Sequence, residues 1–88
     1  MSIKDRIRIR LQQALDPVRL DVVDESHRHI GHAGYREGGE THFRVEVVSQ
    51  AFAGKSRLDR HRVINGLLTE ELQERVHALA IVAKAPGE

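Results

Sequence analysis

The 88-residue chain reads as an α+β domain, with helices on one face of a three-stranded mixed sheet in the order helix-strand-strand-helix-helix-strand. Three observations carry this reading. Apolar residues recur every three to four positions near the start of the chain and again through its later third, the repeat of a helix with one buried face. Between these stretches apolar and polar residues alternate, the repeat of a half-buried strand. A serine stands three residues before an aspartate at Ser2/Asp5 and at Ser56/Asp59, a pairing that opens helices. The length is that of one domain, residues 1–88.

The first helix starts after Ser2 and places Ile3, Ile7, Leu11, Ala14 and Leu15 on one face, with Arg6, Arg8 and Arg10 mostly off it. Pro17 disfavours helical geometry at Asp16, so the helix should end there. In VRLDVVDES, Val18, Leu20 and Val22 alternate with Arg19 and Asp21. In THFRVEVVS, Phe43, Val45 and Val47 point one way and His42, Arg44 and Glu46 the other. A hairpin is the economical connection between these two strands. Ser56 then opens a helix through RLDRHRVING. Gly66 followed by Thr69, Glu70 and Glu71 signals a stop and a restart, making TEELQERV a second short helix or a kinked continuation. Ile64, Leu67, Leu68 and Leu72 supply the buried stripe. HALAIVAK is short and precedes Pro86 and Gly87, which favours a third strand over a helix. If that strand lies beside the second, the helical crossover makes the two parallel and right-handed. It then starts at the end of the sheet where the long connection enters the second strand, and its first residue is His77.

Composition narrows the function. Fourteen basic against thirteen acidic residues leave a net charge of +1, too small for an overall field that holds polyanions, although local patches are allowed. Aromatic residues at 3% leave little with which to stack bases. The absence of cysteine excludes a disulfide, a thiolate ligand and a thiol nucleophile within the chain, so metal chemistry must use nitrogen and oxygen ligands or borrow sulfur from a partner. No apolar stretch reaches the roughly 18 residues of a membrane span. The first fifteen residues share arginines and amphipathicity with a transit peptide, but Asp5 and the fit to a folded helix favour a soluble, cytoplasmic protein with no membrane partner.

Two constellations remain. HRHIGHAGYREGGETH, residues 27–42, gathers four of the six histidines with four glycines, in a connection long against the usual hairpin loop of about 2 to 5 residues. Imidazoles converging from this loop and from His77 suit a transition metal, and His29 and His32 have the i, i+3 spacing that a turn brings onto one ion. The competing reading is a solvated loop. His42, in the outward phase of its strand, reads as a surface residue or as one that pins the loop by hydrogen bonding. The second constellation is KSRLDRHR, which gathers Lys55, Arg57, Arg60 and Arg62 around a helix start, with a helix-turn-helix flavour suited to phosphate contacts. Asp59 interrupts it and Glu70, Glu71 and Glu74 follow, so a protein-docking or solvated face competes with nucleic acid. Ser26 and Ser49 lie near histidines, but no nucleophile elbow or fixed acid-base pair accompanies them, and GYREGG matches no phosphate-binding fingerprint. The glycines read as loop flexibility, with positive backbone angles at Gly38 or Gly39. The expectation is a protein that is not an enzyme.

Four stretches together, VVDESHRH, GETHFRVEVVSQAFAG, RHRVINGLLTEEL and VHALAI, resemble the BolA family over about residues 3 to 84. The resemblance implies a fold similar to the second class of KH domains, although NGLLTEEL lacks the GxxG loop with which KH domains grip nucleic acid. It also implies pairing with a monothiol glutaredoxin and a shared, bridging 2Fe-2S cluster, in iron-sulfur cluster assembly, transfer or iron regulation. Thiolates from the glutaredoxin and from glutathione would hold one iron and two histidines of this chain the other, as in a Rieske centre. The family's late ligand maps onto His77 of VHAL, and its loop ligand onto His29 after DES, with His32 or His27 as alternatives. Other family members are stress-linked transcription regulators, which keeps DNA binding through Lys55, Arg57, Arg60 and Arg62 as the alternative function. The free protein is expected to be a monomer or a weak homodimer.

Overall fold

A computed structural model describes residues 1–26 and 39–88. Helix α1 spans Ile3–Leu15, strands β1 and β2 span Arg19–Asp24 and His42–Val48, helices α2 and α3 span Arg57–Leu67 and Thr69–Glu74, and strand β3 spans Ala78–Lys84. A 3-10 turn, Gln50–Phe52, lies between β2 and α2. The sheet order is β1-β2-β3, with β1 antiparallel and β3 parallel to β2. This is the architecture expected from the sequence. Among the described residues, no helix is long and apolar enough to cross a membrane.

The helix starts form as their sequences dictate. The hydroxyls of Ser2 and Ser56 accept the Asp5 and Asp59 N–H groups at 3.0 and 3.1 Å. Helix α1 ends at Asp16, which takes a left-handed conformation with φ of 43° ahead of Pro17. The apolar row of α1 is Ile3, Ile7, Leu11 and Leu15, all buried. Ala14, expected on the same face, is exposed. A row of i+4 steps drifts around the helix by about 40° per step, so by the last turn Ala14 sits about 100° from Leu15. These side chains pack on Phe43, Val45 and Val47 of β2, with Phe52, Ile64, Leu68 and Val76 completing the core. Ser49 ties the layers together: its hydroxyl donates to the Leu15 carbonyl at the end of α1 and accepts the Ala51 N–H.

Four further expectations are corrected. Val18 has the parity of Leu20 and Val22 but is 73% exposed, because it precedes β1 and lies beyond the last turn of α1. Gly66 does not stop α2; the break falls at Leu68, whose N–H still bonds to Ile64 O before α3 begins. Strand β3 begins at Ala78, one residue after His77. Of the two readings of His42 the surface one fails: it is buried at the first position of β2, against the His77 ring, and hydrogen-bonds to the Ser26 and Thr41 hydroxyls at the end of the connection.

Nor is Glu71 part of a solvated acidic face, for its side chain is fully buried between α1 and α3. Its Oε2 lies 2.6 Å from Arg6 Nη2, and its Oε1 lies 2.9 Å from Arg10 Nε. The latter contact is an ion pair without hydrogen-bond geometry, since Oε1 has no hydrogen-bond partner among the described residues. Glu74 and Glu70 complete the network with Arg6 and Arg10. Two of the three arginines read as lying off the apolar face of α1, Arg6 and Arg10, therefore dock α3.

Candidate functional site

The site forms where β1 ends, β2 begins and β3 begins. Asp24, the last residue of β1, accepts the Ser26 N–H and hydroxyl through Oδ1 and the Glu40 N–H through Oδ2 at 3.1 Å. The Ser26 hydroxyl oxygen in turn accepts the Thr41 and His42 N–H groups at 2.9 and 3.2 Å. Glu25 N–H donates to His42 O at 2.7 Å, so the ladder between β1 and β2 runs right up to this clamp. Two consecutive residues beside it adopt positive φ, Gly39 at 75° and Glu40 at 61°. Gly39 bears out one of the two glycines for which this was expected; Gly38 lies outside the described residues.

Two helices brace the same point. The Glu40 carboxylate accepts the Ile3 N–H at 2.9 Å, at the start of α1. The Gly39 carbonyl accepts from Arg75 Nε and Nη2 at 2.9 and 2.7 Å, just past the end of α3. Both ends of the connection between the strands are thereby held against folded structure.

The parallel pairing of β2 and β3 begins here too. Thr41 O accepts the N–H groups of both His77 and Ala78, at 2.6 and 3.2 Å. His77 is exposed, whereas His42 beside it is 5% exposed. The two rings lie 5.5 Å apart between centroids and are tilted by 54°. The Thr41 hydroxyl lies 2.8 Å from His42 Nδ1, which anchors the inner ring. An exposed imidazole thus rests against a fixed one. His27, His29 and His32 lie outside the described residues, in the connection whose two ends are clamped beside His77. Among the described residues, no group of three His, Cys, Asp or Glu side chains could hold a metal ion.

The basic constellation is split by the fold. Lys55 and Arg57 are exposed ahead of and at the start of α2. Arg62 is exposed with Asp59 3.9 Å away. The Arg60 side chain, only 11% exposed, turns inward. It donates to the Lys55 and Ala83 carbonyls at 3.0 and 3.1 Å and makes a two-pronged ion pair with Glu88. That hydrogen bonding, followed by the Ala85 N–H, lowers the Glu88 carboxyl from 4.5 to about 2, and the same pair raises the Arg60 guanidinium above its ordinary value.

Sequence reasoning located His77 through the parallel pairing but missed the clamp of Asp24, Ser26, Glu40 and Thr41. A signal was present: short polar side chains cluster at the facing ends of both strands, where main-chain N–H groups leave the ladder and need acceptors.

Comparison with known proteins places these features in a wider set. Residues 11–88 match the family model described as BolA-like protein. An uncharacterised Sinorhizobium protein encoded in the cobS 5' region is 52% identical over 100% of this chain and 96% of its own length. A protein of Escherichia coli K12 named DNA-binding transcriptional regulator BolA is 49% identical over 92% of this chain and 73% of its own. Among solved structures, the BolA domain of SufE1 from Arabidopsis thaliana superposes with a TM-score of 0.87 at 51% identity, covering 98% of this chain and 94% of that one.

Proposed function

The chain belongs to the BolA-like protein family, and we propose that it is a non-enzymatic cytoplasmic adaptor that binds a monothiol glutaredoxin and shares a bridging 2Fe-2S cluster with it. Its role is iron-sulfur cluster assembly or transfer, or iron regulation. The observation that carries the reading is the placement of His77, exposed at the sheet end where both ends of the histidine-bearing connection are fixed.

The donor set suits such a group. The chain offers imidazoles and no thiol, so it can supply part of a coordination shell while a partner supplies the sulfur. His77 and one loop histidine, His29 first and His32 second, are the ligands. The cluster contributes iron sites that accept neutral imidazole. This chain's own work is positional. The Thr41 carbonyl holds the His77 backbone, the His42 ring backs its side chain, and the clamp on Ser26 and Thr41 fixes where the connection leaves and re-enters the sheet. Glutathione and the glutaredoxin cysteine complete the set.

The test is reconstitution with a monothiol glutaredoxin, glutathione, iron and sulfide, followed by size-exclusion chromatography with iron and sulfide analysis. A coloured one-to-one complex is expected, and a stable coloured cluster on this protein alone overturns the proposal. His77→Ala should perturb the visible spectrum most and one loop variant should match it, whereas His61→Ala should leave it intact.

A second reading, DNA binding, draws on the name of the Escherichia coli relative and on the exposed cations Lys55, Arg57 and Arg62. The internal commitment of Arg60 and the position of Asp59 weaken it. Binding titrations on several DNA sequences and at several salt concentrations should reveal only weak, sequence-independent association. A strong, salt-tolerant preference for one sequence favours the regulator instead.

A further inference from the structure

Strand β3 forms one margin of the described sheet. Its pairing with β2 fixes the direction of each main-chain group: Ala78 N–H donates to Thr41 O, and Lys84 O accepts the Ser49 N–H. Alternation along the strand therefore turns the N–H and C=O groups of Leu79, Ile81 and Ala83 outward. Arg60 confirms the direction by donating to Ala83 O. The start of α2 runs beside this edge and leaves a groove of about 380 Å³, lined by Lys55, Arg57, His61, Ile81, Val82 and Lys84 together with Arg60 and Ala83. Among the described residues no carboxylate lines it, and the Arg60 charge is met by Glu88.

We propose that this groove binds an extended acidic segment of a partner protein, which adds to β3 as a fourth strand. Leu79 and Ile81 each offer an N–H and a C=O at this edge and Ala83 an N–H, at the two-residue repeat of a polypeptide backbone, with Ala83 O already held by Arg60. Ile81 and Val82 give the segment an apolar footing, and Lys55, Arg57 and Lys84 select carboxylates.

The two rival occupants fit less well. A DNA backbone presents phosphate acceptors with no donors for the Ile81 carbonyl, and among the described residues no Phe, Tyr or Trp lines the groove, leaving the His61 imidazole as the one ring a base could stack on. A second copy of this chain, pairing edge to edge, would set the same cations against one another, and a lysine on a strand edge is itself a guard against such pairing. The groove begins four residues beyond His77 along the strand, about 13 Å at ~3.3 Å per residue, so it is separate from the histidine site.

The test uses the full chain labelled for NMR and three eight-residue peptides: alternating threonine and glutamate, alternating threonine and lysine, and the glutamate peptide with every second amide N-methylated, prepared in both phases. The glutamate peptide should bind, shift the Ile81 and Ala83 amides most and slow their hydrogen exchange. The Lys55→Glu, Lys84→Glu double variant should weaken it by about tenfold, as should N-methylation in one phase. The N-methylated peptides probe the edge without changing the protein, so a poorly folded variant does not blunt the result. Absence of binding, equal binding of the lysine peptide, or indifference to N-methylation in both phases overturns the proposal. So does tighter binding of an eight-residue thymidine oligonucleotide at the same amides, or self-association of the chain through this edge. The assay contains neither glutaredoxin nor iron, so its outcome is independent of the histidine site.

Discussion

Ser26→Ala deletes one oxygen and, with it, three hydrogen bonds of the clamp. The Thr41 and His42 N–H groups lose their acceptor and Asp24 loses a donor. Ser26, Thr41 and His42 are 3%, 0% and 5% exposed, so solvent reaches the orphaned groups poorly. A buried N–H left without a partner costs about 1–3 kcal/mol. If a water entering the vacated space serves one of the two, the remaining orphan plus the lost hydrogen bond to Asp24, worth about 1 kcal/mol, make the net loss about 2–4 kcal/mol. In a domain of this size each kcal/mol lowers the melting temperature by about 4–8 °C, so a drop on the order of 10–25 °C is expected. Urea and thermal unfolding followed by circular dichroism measure it, with Ser56→Ala as the reference. That serine caps an exposed helix start and should cost only about 1 kcal/mol. If Ser26→Ala loses no more stability than Ser56→Ala, the clamp is not holding the strand ends together and the reasoning about the site's foundation fails.

Glu71→Gln keeps the volume but removes the buried charge facing Arg6 and Arg10, so it should lower the urea midpoint more than Glu74→Gln, whose carboxylate is 57% exposed; equal losses would refute the docking role of the buried pair. Glu88 titrates at about 2 in the fold against an ordinary 4.5, so its pairing contributes stability that is fully present above 4.5 and is lost as pH falls toward 2. Arg60→Gln should bring the Glu88 midpoint back toward 4.5 in a carboxyl NMR titration, and an unmoved midpoint would show that Arg60 is not the cause. Gly39→Ala places a side chain at φ of 75° with its Cβ 3.4 Å from an Asp24 carboxylate oxygen; a loss of about 1–2 kcal/mol in denaturant melts is expected, and a neutral result would argue against the left-handed turn.

Local chemistry was legible in the sequence wherever partners are near in the chain or repeat with a regular period. Ser2 and Ser56 bond to N–H groups three residues on, and the alternation of Phe43, Val45 and Val47 marks the inner face of β2. The position of His77 followed from topology, because a parallel strand must start where its neighbour starts. What escaped was set by distant partners. Arg6 and Glu71 are 65 positions apart, and no periodicity announces that a charged residue on a short helix meets an arginine there. Arg60 looked available for phosphate because its acceptors, the Lys55 and Ala83 carbonyls and the Glu88 carboxylate, are defined only by tertiary structure. Parity failed at His42 and Val18 for one shared reason: at a strand's end, exposure depends on what the flanking turn covers.

The shared acceptor Thr41 O fixes when, as well as where, the histidine site comes into being. His77 reaches it only after the whole excursion through the 3-10 turn, α2 and α3 has been folded back, and the companion tie from Arg75 to Gly39 closes a span of 36 residues. Closing a chain segment of that length costs about 3 kcal/mol in entropy before any contact repays it. The ladder at the start of β3 is therefore a non-local contact, expected to form after the local ones and to open only with the domain. Hydrogen exchange at the His77 amide is expected to track global unfolding, and a ligand bridging His77 to the neighbouring connection would act as a lock on this long-range closure.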